Sequence, residues 1–186
     1  MAGDDGRLRC PWALSAPEYV DYHDEEWGRP VRDDRAMFER LTLEAFQSGL
    51  SWLIILRKRE GFRAAFGQFD LATVASYDGS DVERLLADSG IVRNRAKIEA
   101  AIANARAALE LDGGLLGHVH AFAPHTHAAP PRTLSEVRAQ SEESKALAKD
   151  LRKRGFRFVG PTTMYALMQA TGIVDDHLAD CWRRSS

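Results

Sequence analysis

The chain has 186 residues, 45% apolar and 28% charged, enough for one cored domain and too interrupted by charge for a membrane-spanning bundle. Its formal net charge of −2 argues against a polyanion binder that works by bulk positive charge and leaves room for a local basic patch. The start, Met1 to Gly6, lacks an apolar stretch, and the longest apolar run, Leu50 to Leu56, is too short to cross a bilayer. The two cysteines, Cys10 and Cys181, lie near opposite ends, which fits a cytoplasmic protein without a disulfide.

Residues 1–8 are polar and expected to fray. Asp33 or Asp34 can cap a helix reaching Ser48, with Met37, Phe38, Leu41 and Ala45 at helical spacing. Gly49 ends it, and Ser51 can cap a helix from Trp52 to about Arg59. Phe62, Ala65, Phe66 and Phe69 read as a separate short aromatic helix and its exit. Ser80 begins another helix with Val82, Leu85 and Leu86, stopped by Gly90. Ile98, Ala101, Ile102, Ala105 and Leu109 mark a long amphipathic helix. Residues 112–132, with Gly, His and Pro, read as a loop with at most one turn of structure. Helices resume from about Ser141 to Arg154 and from Pro161, well placed at a first helical position, to about Thr171. No strand or repeat stands out, so the fold expected is all-α, an irregular helical bundle forming a single domain over 1–186.

Between the last two helices, the stretch from Leu151 to Thr163 turns through a hairpin with Gly155 and Gly160 at its ends. Glycines allow tight turns, and the free N–H groups and dipole of the following helix suit a phosphate. Lys145, Lys149, Arg152, Lys153, Arg154 and Arg157 supply nearby positive charge, although charge alone reads equally as a solvated helix face. An ordinary helix–helix turn without a ligand is the plain alternative, since a Gly-x-x-x-x-Gly spacing is common.

His177 and Cys181 lie four apart and would share a face if the tail were helical. Cys10 and His23 could complete a Cys₂His₂ set, with no open position and hence a structural role. Two buried cysteines and two structural histidines fit the spacing as well. His118, His120, His125 and His127 form a rival group in a loop without cysteine and read as exposed.

Glu44 sits at the edge of the stripe formed by Met37, Leu41 and Ser48. A carboxylate there would be partly buried, which is costly without a partner and raises its pKa. Its stem could instead simply lie along the core. Trp12, Tyr19, Tyr22, Trp27 and Trp52 crowd the first third of the chain; aromatic faces of this kind either pack a core or sandwich a nucleobase, a cationic one best.

Taken together, Cys10-Pro-Trp12, Tyr22-His-Asp-Glu-Glu-Trp-Gly28, Leu43 to Trp52, Gly90 to Ile98, and Arg154 to Thr162 running on to Asp176-His177 resemble the constitutive-type bacterial 3-methyladenine DNA glycosylases, a branch of the helix-hairpin-helix glycosylases. The resemblance runs in order from Cys10 to Cys181. It implies a structural zinc on Cys10, His23, His177 and Cys181. It implies Glu44 as the carboxylate that hydrogen-bonds the base, and Trp12, Tyr19, Tyr22 and Trp52 as its aromatic walls. Gly155, Gly160 and Thr162 would meet the DNA backbone, and Gly49 and Leu50 would fill the gap left by the extruded base. The partner implied is double-stranded DNA with alkylated bases, bound by a monomer without a membrane. The reaction implied is monofunctional hydrolysis of the N-glycosidic bond of 3-methyladenine.

One departure is Asp175, where many relatives carry asparagine; it could stabilise charge on the sugar or activate water, or instead cap a helix N-terminus or support His177. Two rival readings are a bifunctional glycosylase, which needs a lysine at the site, and a non-catalytic zinc-stabilised module that binds damaged DNA.

Overall fold

Asp33, in an extended conformation, accepts the amide of Ala36 at 2.8 Å and starts the helix α2 (Asp34–Gln47). This helix buries residues on most of its circumference, from Met37 and Phe38 to Phe46, and so runs through the centre of the molecule. The computed structural model describes residues 1–126 and 129–184. Around α2 are α1 (Pro17–Glu25), α3 (Trp52–Ala65), α4 (Leu71–Ser76), α5 (Gly79–Ala87), α6 (Arg95–Leu109), α7 (Gly114–His120), α8 (Glu142–Lys153) and α9 (Pro161–Ala170), with short 3₁₀ turns at Pro11–Ser15, Gly67–Phe69 and Leu134–Glu136. Helices α3, α6, α7 and α9 pack directly on α2, α4 packs on α6, and α8 pairs with α9. The fold is therefore the expected irregular all-α bundle. No helix among the described residues is long and apolar enough to cross a membrane.

Several local expectations need correction. Helix α3 does not stop at Arg59 but continues to Ala65, taking in Phe62. Gly61 does not break it, because a Cβ there would stand 2.4 Å from the carbonyl oxygen of Gly90; the glycine serves a close backbone approach, not a turn. Asp78, not Ser80, caps α5, through a reciprocal pair of bonds with Asp81. The 112–132 stretch holds the helix α7, two turns long, which buries Leu115 and Val119. Its N-terminal amide of Leu116 is satisfied from a distance, by Asp34 Oδ1 at 2.7 Å. Residues 1–8, expected to fray, fold back as a turn: Ala2 pairs with Leu8, and the Met1 amine donates to the Arg9 carbonyl at 2.8 Å. The buried Arg9 guanidinium fixes this turn through Asp5 at 2.7 Å and Asp24 at 2.7 Å.

Candidate active site and metal centre

Pro11 and Pro17 start two consecutive helical turns without side-chain caps, and these carry Trp12, Tyr19, Tyr22 and His23. Their aromatic faces meet the end of α2 and the start of α3 across a cavity of about 500 Å³. Trp12, Tyr19, Tyr22, Glu44 and Trp52 all line it, so every residue implicated in base binding by the sequence converges on one space. Trp12 meets Tyr19 edge-on at 5.8 Å, and Tyr22 tilts against Trp52 at 5.4 Å. Sequence reasoning missed Gln47, Ala166, Gln169, Asp176, Leu134 and Val137, which also line the cavity. Gln47 could have been found, since it lies three residues beyond Glu44 on the same helix face. Leu134 and Val137 could not, because they arrive on an irregular strap.

Glu44 is 6% exposed, and burial pushes its carboxyl pKa up to about 8, with Arg40 opposing only weakly. Arg40 lies one turn before Glu44, yet its guanidinium is engaged by Glu26, which also takes Arg59 at 2.6 Å. Burial works against the Glu26 carboxylate, but these two arginines hold it below its ordinary range. The carboxyl at the cavity is thus left without a dedicated cation. Tyr22 is pushed upward by burial and then by the charge of Glu44, so its hydroxyl stays neutral.

Asp176 faces the cavity and Asp175 does not. Asp176 Oδ2 accepts from the Tyr165 hydroxyl and from Gln169 Nε2, both at 2.8 Å. Asp175 Oδ1 accepts the amide of His177 at 3.1 Å and lies 3.9 Å from the Arg184 guanidinium, which also donates to the His177 carbonyl at 2.6 Å. Asp175 therefore braces the loop that carries His177. No lysine lines the cavity among the described residues.

Behind the aromatic wall, Cys10, His23, His177 and Cys181 come together, fully buried, with their candidate ligand atoms all within 4.8 Å of one another. Cys181 Sγ lies 3.4 Å from His23 Nε2 and 3.5 Å from His177 Nδ1, and Cys10 Sγ lies 3.8 Å from His177 Nδ1. A tetrahedral ion bound at ~2.3 Å to sulfur and ~2.0 Å to nitrogen would set such edges at roughly 3.5 Å. His23 Nδ1 is bonded to Asp24 Oδ1 at 2.8 Å, which leaves Nε2 to face the sulfurs. Contact with Cys10, then with the two imidazoles, pushes the Cys181 thiol pKa down, while contact with Cys181 and then burial push that of Cys10 up. The tail is not helical here, contrary to the premise of the four-residue spacing; a turn closed by the Cys181 amide on the Leu178 carbonyl at 2.8 Å brings the two side chains together instead. The histidine-rich loop makes no rival centre among the described residues: His118 bonds Asp150 at 2.8 Å, and His127 lies outside them.

The hairpin from Arg154 to Gly160 closes α8 with two bonds, Phe156 N–H to the Leu151 carbonyl at 3.0 Å and Gly155 N–H to the Arg152 carbonyl at 3.1 Å. Gly155 has φ +93°, the left-handed conformation this ending requires. Gly160 does not turn that way; its φ is −70°, and it caps α9. The second positive φ belongs to Phe158, at +55°, with its ring 38% exposed, a feature that nothing in the sequence announces. Pro161 has no N–H and Met164 makes the first bond back to Gly160, so the amides of Thr162 and Thr163 lead the helix outward. At the other candidate contact, Gly49 has φ +79°, and the Leu50 amide closes on the Gln47 carbonyl at 2.7 Å.

The sequence model of the methyladenine glycosylase family matches residues 12–184. The chain is 46% identical to DNA-3-methyladenine glycosylase 1 of Escherichia coli (strain K12), over 93% of its own length and 95% of the relative. A crystal structure of 3-methyladenine DNA glycosylase I superposes with a TM-score of 0.91 at 43% identity, covering 96% of this chain and 100% of that one. A structure addressing 3-methyladenine recognition by the Staphylococcus aureus glycosylase superposes at 0.90 with 32% identity, covering 96% and 97%. With a matching sequence model, close relatives over nearly full length and the same helical frame around the aromatic cavity, this chain belongs to the methyladenine glycosylase family.

Proposed function

We propose that this protein is a monofunctional DNA glycosylase that extrudes 3-methyladenine from alkylated double-stranded DNA and hydrolyses its N-glycosidic bond. The observation that carries the reading is a buried carboxyl group without a dedicated cation, set in a cavity walled by Trp12, Tyr19, Tyr22 and Trp52. In DNA a 3-methylated adenine bears positive charge, which already weakens the bond to its sugar. The pocket therefore needs to take the base out of the stack and hold it more than to activate it. Indole and phenol faces attract a cation, and Glu44 accepts a hydrogen bond from the exocyclic amine. A cationic base entering the pocket also favours the ionised form of Glu44, so its proton leaves to solvent as the base binds. Neutral adenine draws no such response, and its stronger pairing makes extrusion harder. Water then adds at the sugar; the absence of lysine from the lining among the described residues supports hydrolysis over a Schiff-base route.

Gly155, Gly160 and Thr162 present backbone to a phosphate at the start of α9, and Gly49 and Leu50 occupy the gap left by the base. Cys10, His23, His177 and Cys181 would hold zinc, which would supply a structural tie between the two ends of a single domain and take no part in catalysis. The protein works as a monomer, and its paired thiols, kept reduced as ligands, suit the cytoplasm.

The deciding experiment is base release from methylated duplex DNA by the wild-type protein and by Glu44→Gln. Release of 3-methyladenine, weakened in the variant, is expected. Tight binding of damaged duplex with no base released would leave a non-catalytic binding module instead.

A further inference from the structure

Helix α6 buries an apolar row, Ile98, Ala101, Ile102 and Ala105, interrupted by two polar side chains, Lys97 at 8% exposure and Asn104 at 1%. Seven residues separate them, two helical turns, so they share a face about 10 Å apart along the axis. Both reach backbone. Lys97 Nζ donates to the carbonyls of Phe46 at 2.8 Å and Ser48 at 2.6 Å, where α2 ends and the corner into α3 begins. Asn104 Nδ2 donates to the Arg157 carbonyl at 3.0 Å, and its Oδ1 accepts the Arg157 amide at 2.7 Å, in the middle of the hairpin. One helix thus grips the two loops assigned above to DNA, each by a two-point contact from a buried side chain.

Burial of an ammonium is costly unless acceptors replace water, and the carbonyls ending a helix are favourable ones because they carry its partial negative charge. An aliphatic side chain would fill the Lys97 position at lower desolvation cost, but it could not hold the corner carbonyls. The same holds for Asn104, whose paired bonds fix both the height and the tilt of the hairpin backbone. On the pocket side, Gln47 Nε2 donates to the Leu50 carbonyl at 3.1 Å, so the corner is held from both flanks.

We propose that Lys97 and Asn104 are positioning residues that fix the α2–α3 corner and the hairpin at one spacing on α6, so that both loops meet the duplex together. The proposal rests on the reading of both loops as DNA contacts. Two loops set in advance need no ordering when the duplex arrives, whereas loops free to drift would lose affinity for DNA while leaving the base cavity intact.

The test compares Lys97→Met and Asn104→Leu with wild type on two ligands, a duplex containing an abasic-site analogue and free 3-methyladenine, by titration calorimetry, together with steady-state excision. Each variant is expected to weaken duplex affinity and raise KM by roughly ten- to hundredfold, the scale of an ångström-sized misplacement. Free-base affinity and kcat at saturating duplex should stay unchanged, and Lys97→Arg should recover part of the duplex affinity. Folded variants with unaltered duplex affinity would overturn the proposal, as would a parallel loss of free-base affinity, which would mark general collapse. Should either variant fail to fold, amide exchange in wild type decides: the Arg157 amide should be protected with the α6 core, and fast exchange there in a protein that does excise the base would overturn the grip. A wild-type protein that releases no base would overturn the repair reading and the positioning role with it.

Discussion

At the scale of single residues, Glu44 links the pH of the solution to both stability and turnover. Its folded pKa, about 8, exceeds the ordinary value of 4.5 because burial disfavours the charge. The fold therefore favours the protonated form. That contribution is fully present below about pH 4.5 and is lost as the pH climbs through 8. Replacement by Gln removes the titration, so melting curves should show Glu44→Gln gaining on wild type between about pH 4.5 and pH 8. Turnover runs the other way. If the ionised carboxylate receives the cationic base, kcat/KM should rise with pH and level off above about 8, and Glu44→Gln should lose that limb along with activity, on the order of 10²-fold. A pH–rate profile of both proteins checks the slope and the loss together. Glu44 was legible in the sequence because helical spacing put a carboxylate at the edge of an apolar stripe, although its role came from the family resemblance and not from that spacing. Asp176 was not: Asp175 and Asp176 are neighbours outside any helix, and only the turn bracing His177 decides which one faces the cavity.

At the scale of elements, legibility follows where the capping groups come from. Asp33, Asn94 and Ser141 each accept an amide three residues on, and helices α2, α6 and α8 begin near where their patterns indicate. Helix α7 starts at Gly114 with no side-chain cap of its own, and Asp34, 82 positions before Leu116, supplies the acceptor for the Leu116 amide; no window of local sequence contains that information. Helix α1 likewise begins without a cap, and its buried Tyr22, His23 and Asp24 face a site rather than an oily core, so apolar periodicity misses it. The hairpin offers a clean test of backbone geometry. Nothing stands within 4 Å of a Cβ placed on Gly155, so Gly155→Ala meets only the strain of φ +93°. The expected loss is about 1–2 kcal/mol in denaturant melts, with DNA affinity reduced through the distorted end of α8. An unchanged midpoint would show that the hairpin relaxes to another conformation.

At the scale of the whole molecule, the first and last segments are held to each other and not through the main core. Besides the Cys10, His23, His177 and Cys181 cluster, the Trp182 amide reaches the Leu8 carbonyl at 2.9 Å, and Cys10, Leu178 and Cys181 form a small apolar cluster of their own. If the cluster holds the proposed metal, stripping it with a chelator should release this clasp. A fall in Tm of about 10 °C or more is expected, because each kcal/mol moves Tm by roughly 2–4 °C at this chain length. Cys181→Ala should reproduce the fall and make Tm insensitive to the chelator; a Tm unmoved by either treatment would remove the structural metal from the account. The clasp also has an optical consequence. Trp12 lies 5.1 Å from Trp27 and 5.3 Å from His23 while lining the aromatic cavity, and Trp52 completes the same wall. Trp182 alone sits apart, on the outside against Arg7 at 4.3 Å. Three of the four tryptophans, Trp12, Trp27 and Trp52, therefore line the cavity, and Trp12 and Trp27 also pack on the histidines of the cluster. If the proposed ligands bind, a base entering in front should change the glow of all three rings and an ion leaving behind that of Trp12 and Trp27, giving the unlabelled protein its own two-sided gauge.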